Sequence, residues 1–346
     1  MSKKKSDKTT IHDIAYELGL NASTVSRALN NNLAVSKKTR ELVKAKALEM
    51  NYQPNFIAAA LRRGRSNTLG VIVPAIDRAF FGRVIRGIEE EADEAGFRVI
   101  VCQSFDSSER EREMVDTLRG LQVDGLLISI AKDTGDNLKL YEKLISSGFP
   151  IQFFDNVPTS LEVVPAVIID DRQGGYAATK HLIDQGYKRI AHLRGPQHLH
   201  IYRNRYLGYL DAMKEAGLEV NDDSVLEIVS HFDSGEEAFE ELWKRSPRPE
   251  AIFSASDFSA VSGMKAARRR GLRVPEDIAF MGFSNEPFNE LVSPTLSSVD
   301  QQPITMGRIA SRRAIKAITS KEDEEHPNDQ LVLMPEIVVR ESSATK

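Results

Sequence analysis

Residues 10–32 read TIHDIAYELGLNASTVSRALNNN, and this stretch decides the fold of the amino-terminal region. Thr10, followed three residues later by Asp13, is typical of a capping box at the start of a helix. Apolar residues then recur at helical spacing until Gly19, a residue type that commonly ends a helix. The next two residues form the predicted turn, and Asn21 is placed to cap a second helix.

The second predicted helix combines an apolar face with a face of short polar side chains. A helix that enters a DNA major groove about 12 Å wide needs small or hydrogen-bonding side chains at its leading end, and an arginine there can reach O6 and N7 of guanine. A helical pair that only packs together explains the apolar face equally well, but it does not explain the small polar face. The apolar face is Val25, Ala28 and Leu29, and the polar face is Ala22, Ser23, Ser26 and Arg27.

A third helix is predicted over KKTRELVKAKALEM, residues 37–50. Val35 and Ser36 before it are typical of a hydrophobic staple and an N-cap. Three short helices around a small apolar core, with a short turn between the first two, form the helix-turn-helix arrangement.

Charge is divided unevenly along the 346 residues. Residues 1–66 carry 13 Lys and Arg against 5 Asp and Glu, a net charge of +8, whereas the remainder has a net charge of −12. This division indicates a polyanionic partner for the amino-terminal region alone, because the acidic remainder would be repelled by the same phosphates. A solvated basic arm is the alternative when the charge division is taken by itself.

Five short motifs occur in order through residues 10–74. They are DIA, STVSRALN, VSKKTR, YQPN and LGVIVP. In this order and spacing they resemble the amino-terminal region of the lactose repressor and galactose repressor family of bacterial transcription regulators. Many sugar repressors of that family carry larger side chains where this chain has Ala22 and Ser23, which implies a different operator sequence.

The resemblance implies a set of DNA contacts. Base contacts are implied at Ala22, Ser23 and Arg27. Contacts that brace the helix against phosphate are implied at Thr24, Ser26 and Asn30. Further DNA contacts are expected at Thr10, Tyr52, Asn55, Ala58 and Leu61.

The segment NFIAAALRRG, residues 55–64, is a helix former of about two turns. Helices this short are marginal in water, so we expect it to be ordered only when something braces it. Taken alone, the segment is better interpreted as an ordinary linker helix, but its position between a predicted DNA-binding region and a large body favours a hinge. The resemblance implies that it folds on DNA beside its twin from a second subunit and drives Leu61 into the minor groove, a known way to kink a duplex.

Beyond Asn67, short apolar runs alternate with amphipathic helical stretches. This alternation predicts two consecutive doubly wound parallel sheets. By resemblance, the last segments cross back between two subdomains. The predicted fold is therefore an N-terminal all-α helix-turn-helix head plus an α/β periplasmic-binding-protein-like core. The expected boundaries are 1–53 for the helix-turn-helix domain, 54–66 for the hinge, and 67–346 for the effector-binding and dimerisation core, with one subdomain at about 67–166 and 300–329 and the other at about 167–299 and 330–346.

Residues that follow each apolar run are candidates for a ligand site, because ligands bind beyond the carboxyl ends of the strands in open α/β sheets. Aromatic side chains there offer flat faces for a sugar ring or a base, although aromatic residues at helix starts are more often part of a core. Arg205 lies in RYLGY, which matches the family's effector-contacting arginine. The effector candidates are Phe80, Phe81, Asp155, Arg205, Ser256, Asp257, Ser284 and Gln301.

Two departures from the family pattern bear on the effector. Sugar-binding members usually carry Asp where this chain has Ser284, and often Asn where it has Ser256. Loss of a carboxylate acceptor weakens the interpretation as a neutral-sugar site. Together with Arg194 and Arg205, it leaves room for an anionic effector such as a uronate, or for none.

Signatures of common cofactor, catalytic and metal sites are absent from the sequence. No GxGxxG follows a strand, and GxxxxGK[ST], GxSxG and HExxH do not occur. The spacing of His192, His198 and His200 matches no standard zinc site. We therefore expect no enzyme activity, no catalytic residue, no cofactor and no metal.

Cys102 is the only cysteine, so no intramolecular disulfide forms. No apolar run reaches the ~18 residues needed to span a bilayer, and no apolar segment follows the basic start. These features predict a cytoplasmic protein without a membrane partner. A periplasmic-type solute-binding protein is the main competing class. Such a protein would carry an export signal and would lack a basic amino-terminal region, whereas this chain shows the reverse.

The sequence thus predicts a sequence-specific DNA-binding transcription regulator, a repressor, that acts as a homodimer on double-stranded operator DNA. Control by a small-molecule effector is expected, either a sugar, a sugar acid or a related metabolite. The alternative is a solute-binding sensor whose basic region binds DNA only nonspecifically.

Overall fold

A computed structural model describes residues 9–53, 64–162, 164–228, 232–320 and 329–344. The chain divides into two compact units, residues 1–66 and 67–346, which we call the head and the body. The head contains three helices, α1 (Ile11–Leu18), α2 (Ala22–Leu29) and α3 (Lys37–Glu49).

The head helices enclose a small apolar core. Ile14, Val25, Ala28 and Val43 are fully buried at its centre. Since each helix of the head contributes only a short stripe of apolar residues, none of them could bury its apolar face alone.

Local capping signals set the starts of α1 and α3 as predicted, but not that of α2. Thr10 and Asp13 form a complete capping box before α1, and the Ser36 hydroxyl accepts a hydrogen bond from Thr39 N–H before α3. Asn21 occupies the N-cap of α2, but in the described head its side chain makes no capping hydrogen bond. The start of α2 is therefore fixed by packing rather than by a side-chain cap.

The body alternates strands and helices along the chain. Its first part contains β1 (Thr68–Val73), α4 (Ala79–Glu94), β2 (Arg98–Gln103), α5 (Ser108–Gly120), β3 (Gly125–Ile128), α6 (Leu138–Ser146), β4 (Ile151–Phe154) and β5 (Ala166–Ile169). Then follow α7 (Asp171–Asp184), β6 (Ile190–Arg194), α8 (His200–Glu215), β7 (Val225–Glu227), α9 (Phe232–Lys244), β8 (Ala251–Ser254), α10 (Asp257–Arg269) and β9 (Ala279–Phe283). The last elements are β10 (Ser297–Asp300), α11 (Pro303–Thr319), β11 (Gln330–Leu333) and β12 (Glu336–Val338).

The strands form two six-stranded sheets. The first sheet has the order β11-β5-β4-β3-β1-β2, and the second has the order β12-β10-β9-β8-β6-β7. All pairs are parallel except β10 with β12. The predicted fold class, a helical head with two doubly wound sheets, is confirmed, with one antiparallel edge strand added. We call each sheet with its covering helices the first and the second subdomain.

The subdomain boundaries differ from the expected ones by a few residues. β5 lies beside β4, and β11 pairs with β5, so both strands belong to the first sheet although residues 167–169 and 330–333 were assigned to the other subdomain. Apolar runs predict that a strand exists, but only pairing with a neighbour decides which sheet it joins.

Helices α4 and α11 cross closely on the first sheet. A Cβ at Gly307 would collide with the carbonyl of Val84, and one at Gly87 would collide with the carbonyl of Ile304. Glycine is therefore required at both positions, because the two helix backbones touch there and leave no room for a side chain. The start of α4 lies close to the carboxyl end of β1, because only five residues separate the two elements.

Candidate functional site

The exposed face of α2 presents polar side chains from one side of the head. Ser23, Arg27 and Asn30 are exposed and share a face, because their spacing corresponds to whole helical turns. The side-chain amide of Asn30 donates to the carbonyl of Ser26 at 2.7 Å, so one predicted phosphate-bracing residue also secures the end of α2. Ala22 is half-buried and packs against the head core.

The other predicted DNA contacts are placed unevenly. Thr10 is exposed, but its hydroxyl is held at 2.7 Å by Asp13 in the capping box. Tyr52 is half-buried against the head core, and Thr24 is half-buried on α2. Asn55, Ala58 and Leu61 lie outside the described residues.

A cavity of about 60 Å³ lies in the body at the carboxyl ends of strands from both sheets. Its volume corresponds to about four to six water molecules. It is lined by Arg78, Phe80, Phe81, Asp155, Ile201, Tyr202, Arg205, Ala255, Ser256, Phe258, Ser284, Glu286 and Gln301. Among the predicted effector residues, the structure brings together all but Asp257.

Arg205 on α8 is the most heavily bonded side chain of the cavity. Its Nε donates to Asp171 Oδ1 at 2.8 Å, its Nη1 to the carbonyl of Ala255 at 3.0 Å, and its Nη2 to Gln301 Oε1 at 3.2 Å. The guanidinium also lies over the ring of Phe283, 3.7 Å from the centroid. These contacts fix its orientation and leave two of its five N–H donors for a ligand.

Three buried carboxyl groups lie in or next to the cavity lining. Burial, reinforced by Asp171, raises the pKa of Asp155 to about 6. Burial also raises the pKa of Asp171 to about 6, although Arg205 opposes the shift. Burial next to Asp257 raises the pKa of Glu286 to about 7. The cavity therefore holds acids whose protonation changes within the physiological range.

Asp257 is the predicted effector residue that the structure does not place in the cavity. Its carboxylate lies behind the wall, where it accepts hydrogen bonds from Glu286 N–H at 2.8 Å, Asn289 Nδ2 at 2.9 Å and Ser298 Oγ at 2.7 Å. Gly282 makes room for it, because a Cβ there would collide with Asp257 Oδ1. Asp257 thus organises the loop after β9, and its carboxylate is already engaged by these three donors. A direct effector contact of Asp257 stays a prediction that this arrangement does not favour.

Arg194 and the histidines also lie apart from the cavity lining. Arg194 faces Glu227 at 3.4 Å and covers the ring of Tyr206. His192 is fully buried in an aromatic stack with Tyr209 and Phe253, and burial lowers its pKa to about 3. An anionic effector therefore gains no support from Arg194.

Neither a metal cluster nor a membrane span is found among the residues with described positions. They contain no group of three potential metal-ligating side chains. None of their helices has both the length and the apolar character needed to cross a membrane.

Several lining residues were missed by the sequence interpretation. Arg78 lies two residues before Phe80, and Ala255 directly precedes Ser256, so the rule about strand ends covers both. Glu286 lies two residues beyond Ser284, in the same loop. Tyr202 and Phe258 carry no signal in one sequence that separates a cavity wall from a core.

Comparison with known proteins agrees with this architecture. Residues 66–335 match the family model for periplasmic binding proteins and the sugar binding domain of the LacI family, and residues 10–55 match bacterial regulatory proteins of the lacI family. The chain is 34% identical over 337 residues to the HTH-type transcriptional regulator DegA of Bacillus subtilis (strain 168), which covers 97% of this chain and 98% of DegA. It is 32% identical over 313 residues to the ribose operon repressor of Halalkalibacterium halodurans, which covers 90% of this chain and 91% of that repressor.

Solved structures show the same fold. A transcriptional regulator CelR–cellobiose complex matches with a TM-score of 0.72 and 31% identity, covering 97% of this chain and all of that chain (100%). The lac repressor dimer bound to operator matches with a TM-score of 0.86 over 98% of this chain and 100% of that chain, at 24% identity. Both family models match, and the relatives that align over nearly the whole chain are transcription regulators. The chain therefore belongs to the lacI family of bacterial regulatory proteins.

Proposed function

We propose that this regulator represses transcription as a cytoplasmic homodimer that binds a near-palindromic operator. Its affinity for the operator falls or rises when a small molecule occupies the body cavity. The observation that carries the proposal is the cavity around Arg205, assembled from both subdomains of a chain that also has a helix-turn-helix head. One small head makes few base contacts, so two heads related by symmetry supply the required specificity.

Recognition of DNA is assigned to the exposed face of α2. Ser23 and Arg27 are free of the head core and positioned on one helical face, and Arg27 offers a bidentate fork for guanine. Ala22, half-buried at the start of α2, adds a small apolar contact. The segment of residues 55–64 is proposed to fold on the operator and to couple the body to the heads, with Leu61 as a minor-groove wedge.

The cavity chemistry favours a neutral polyhydroxylated effector over an anion. The charge of Arg205 is already matched by Asp171 at 2.8 Å. The wall adds two further carboxyl groups, Asp155 and Glu286, against one further cation, Arg78. Carboxyl oxygens accept hydrogen bonds from hydroxyl groups, and Phe80 and Phe81 offer apolar faces to a sugar ring. Because the cavity is about 60 Å³, a sugar requires the two subdomains to separate or the side chains to rearrange.

The effector is tested by a thermal-shift screen of the full chain. The probes are D-ribose, D-glucose, cellobiose, D-glucuronate, adenine and guanine. A ligand at 100 times its Kd stabilises by about 2.7 kcal/mol, which corresponds to a rise in Tm of roughly 5 °C. A response to D-glucuronate without a response to the neutral sugars would contradict the neutral-effector proposal.

The DNA proposal is tested by selecting operators from random duplexes with the full chain and then measuring Kd for the selected and for scrambled sequences. Arg27→Ala is expected to weaken binding to the selected operator by ~1 to 3 kcal/mol and to leave scrambled DNA nearly unaffected. Lys38→Ala, an exposed lysine in the first turn of α3, is the control and should weaken both alike. Equal losses for Arg27→Ala on both sequences would favour the alternative, a sensor that binds DNA nonspecifically.

A further inference from the structure

The loop that follows β9 joins the two subdomains at the edge of the cavity. Ser284 and Asn285 both have positive φ, 124° and 48°, which non-glycine residues seldom adopt. Such backbone strain persists only where surrounding contacts determine it. The unusual turn places the next residue, Glu286, in the cavity wall.

The loop is firmly attached to the second subdomain. Glu286 N–H donates to Asp257 Oδ2 at 2.8 Å, and Asn285 N–H donates to Ser298 Oγ at 2.9 Å. The side-chain amide of Asn285 also donates to Asp300 Oδ2 at 2.7 Å. The loop therefore moves with the second sheet.

The same loop reaches across to the first subdomain. The Glu286 carboxyl group, 5% exposed, lies near the backbone N–H of Phe80 in the first turn of α4, and this N–H opposes the rise of the Glu286 pKa that burial causes. Arg83, one turn further along α4, donates from Nη1 to the carbonyl of Asn285 at 3.2 Å. Both contacts connect the loop to one end of one helix.

The start of α4 needs such a partner. Its N-cap residue is Arg78, whose side chain makes no capping hydrogen bond in the described structure. The first N–H groups of a helix have no partner within the helix, and a carboxylate at that end is further favoured by the helix dipole. Glu286 meets both requirements from the opposite subdomain.

We propose that Glu286 is a positioning residue of the regulatory response, which caps α4 across the cavity and thereby holds Phe80 and Phe81 in the wall while the subdomains are closed. As a route for the effector signal it rests on the proposed function, because an effector group that binds Glu286 competes directly with the cap. Asn285 and Arg83 form the second contact of the same connection.

The test is amide hydrogen exchange of the full chain without effector or DNA, measured by mass spectrometry on peptides that cover residues 79–84. Glu286→Ala is expected to speed exchange there about tenfold, the lower end of what a hydrogen bond to a charged group provides. Glu286→Gln, which retains an acceptor oxygen, should remain within about threefold of the parent. Glu276→Ala is the exposed control and should change nothing in these peptides.

Peptides covering α6 on the same sheet report general loosening. Faster exchange confined to residues 79–84 in Glu286→Ala, with rescue by Gln, supports the cap. Unchanged exchange at 79–84, or an equal increase in α6, would overturn it. Since neither effector nor operator takes part, failure here leaves the proposed function standing.

Discussion

Replacement of Arg205 by Met isolates the contribution of the buried ion pair. The side chains of Arg205 and Asp171 are 5% and 4% exposed, and their contact of 2.8 Å is accompanied by hydrogen bonds to Ala255 and Gln301. Met keeps the apolar volume but removes every N–H donor. Asp171 is then left buried without its cation.

The expected loss depends on the charge of Asp171. Removing one partner of a buried pair costs about 3 to 5 kcal/mol when the remaining charge stays ionised. The folded pKa of Asp171, about 6, already lies above its usual value of 3.8, and loss of Arg205 raises it further. Folded Asp171 is therefore protonated at pH 5 in parent and variant, so the cost there falls to that of neutral hydrogen bonds, about 1 to 2 kcal/mol.

The measurement is urea unfolding followed by the fluorescence of Trp243, the only tryptophan of the chain, which lies on α9 of the body. We expect Arg205→Met to lose about 3 to 5 kcal/mol at pH 8 and distinctly less at pH 5. Adding Asp171→Asn should restore part of the loss at pH 8.

Arg172→Met is the matched control. Arg172 pairs with Asp211 at 2.6 Å on the same two helices, but the side chains are 56% and 41% exposed. Its loss should stay below about 1 kcal/mol at either pH. A loss for Arg205→Met that equals this control, or that is the same at pH 5 and pH 8, would refute the assignment of a buried charge pair.

Two further predictions concern packing and pH. Gly307→Ala should lower the free energy of unfolding by about 1 to 3 kcal/mol in the same assay, because its Cβ meets the Val84 carbonyl. Gly82→Ala is the control and should be neutral or stabilising, because no atom lies within 4 Å of its Cβ. Equal effects would show that the helix crossing adapts freely. The second follows from Glu286, whose folded pKa of about 7 exceeds its usual value of 4.5. The folded state therefore binds more protons, and stability falls as pH rises between these values. Glu286→Gln should reduce this decline between pH 5 and 7.5 by about 2 kcal/mol, and an unchanged slope would assign the titration to other groups.

Local signals carried most of what the sequence predicted correctly. The capping box at Thr10 and Asp13 and the glycine at position 19 defined α1 almost to the residue. Each signal acts within one helical turn, so a single sequence contains all the physics that is needed. The apolar runs of the body predicted the strands for the same reason.

Pairing between distant segments could not be predicted in this way. β11 and β5 are both short apolar runs, and their assignment to the first sheet depends on the partnership of Leu331 with Val167 and of Phe154 with Val167. No local property distinguishes these partners from strands of the second sheet. The error in the subdomain boundaries therefore reflects missing long-range information.

The direction of a side chain at a helix start was a second limit. The rule about strand ends placed Ser256 in the cavity correctly, yet the adjacent Asp257 points the other way. Its direction is decided by donors from three other segments and by the absence of a side chain at Gly282. The sequence contains these residues, but it does not show that the fold brings them together around Asp257.

The charge of the cavity shows why an arginine alone does not predict an anionic effector. Arg205 was a reason to consider a uronate. However, Asp171 lies 2.8 Å from the Nε of Arg205, so the charge of the arginine is already paired within the protein. A bound anion would also raise the pKa values of Asp155 and Glu286 beyond about 6 and 7, so its binding at neutral pH would require protons to be taken up. A neutral ligand carries no such cost, and its hydroxyl groups can donate to the same oxygens. Tightening of D-glucuronate binding with falling pH, without a comparable effect on a neutral sugar, would be the signature of the anionic case.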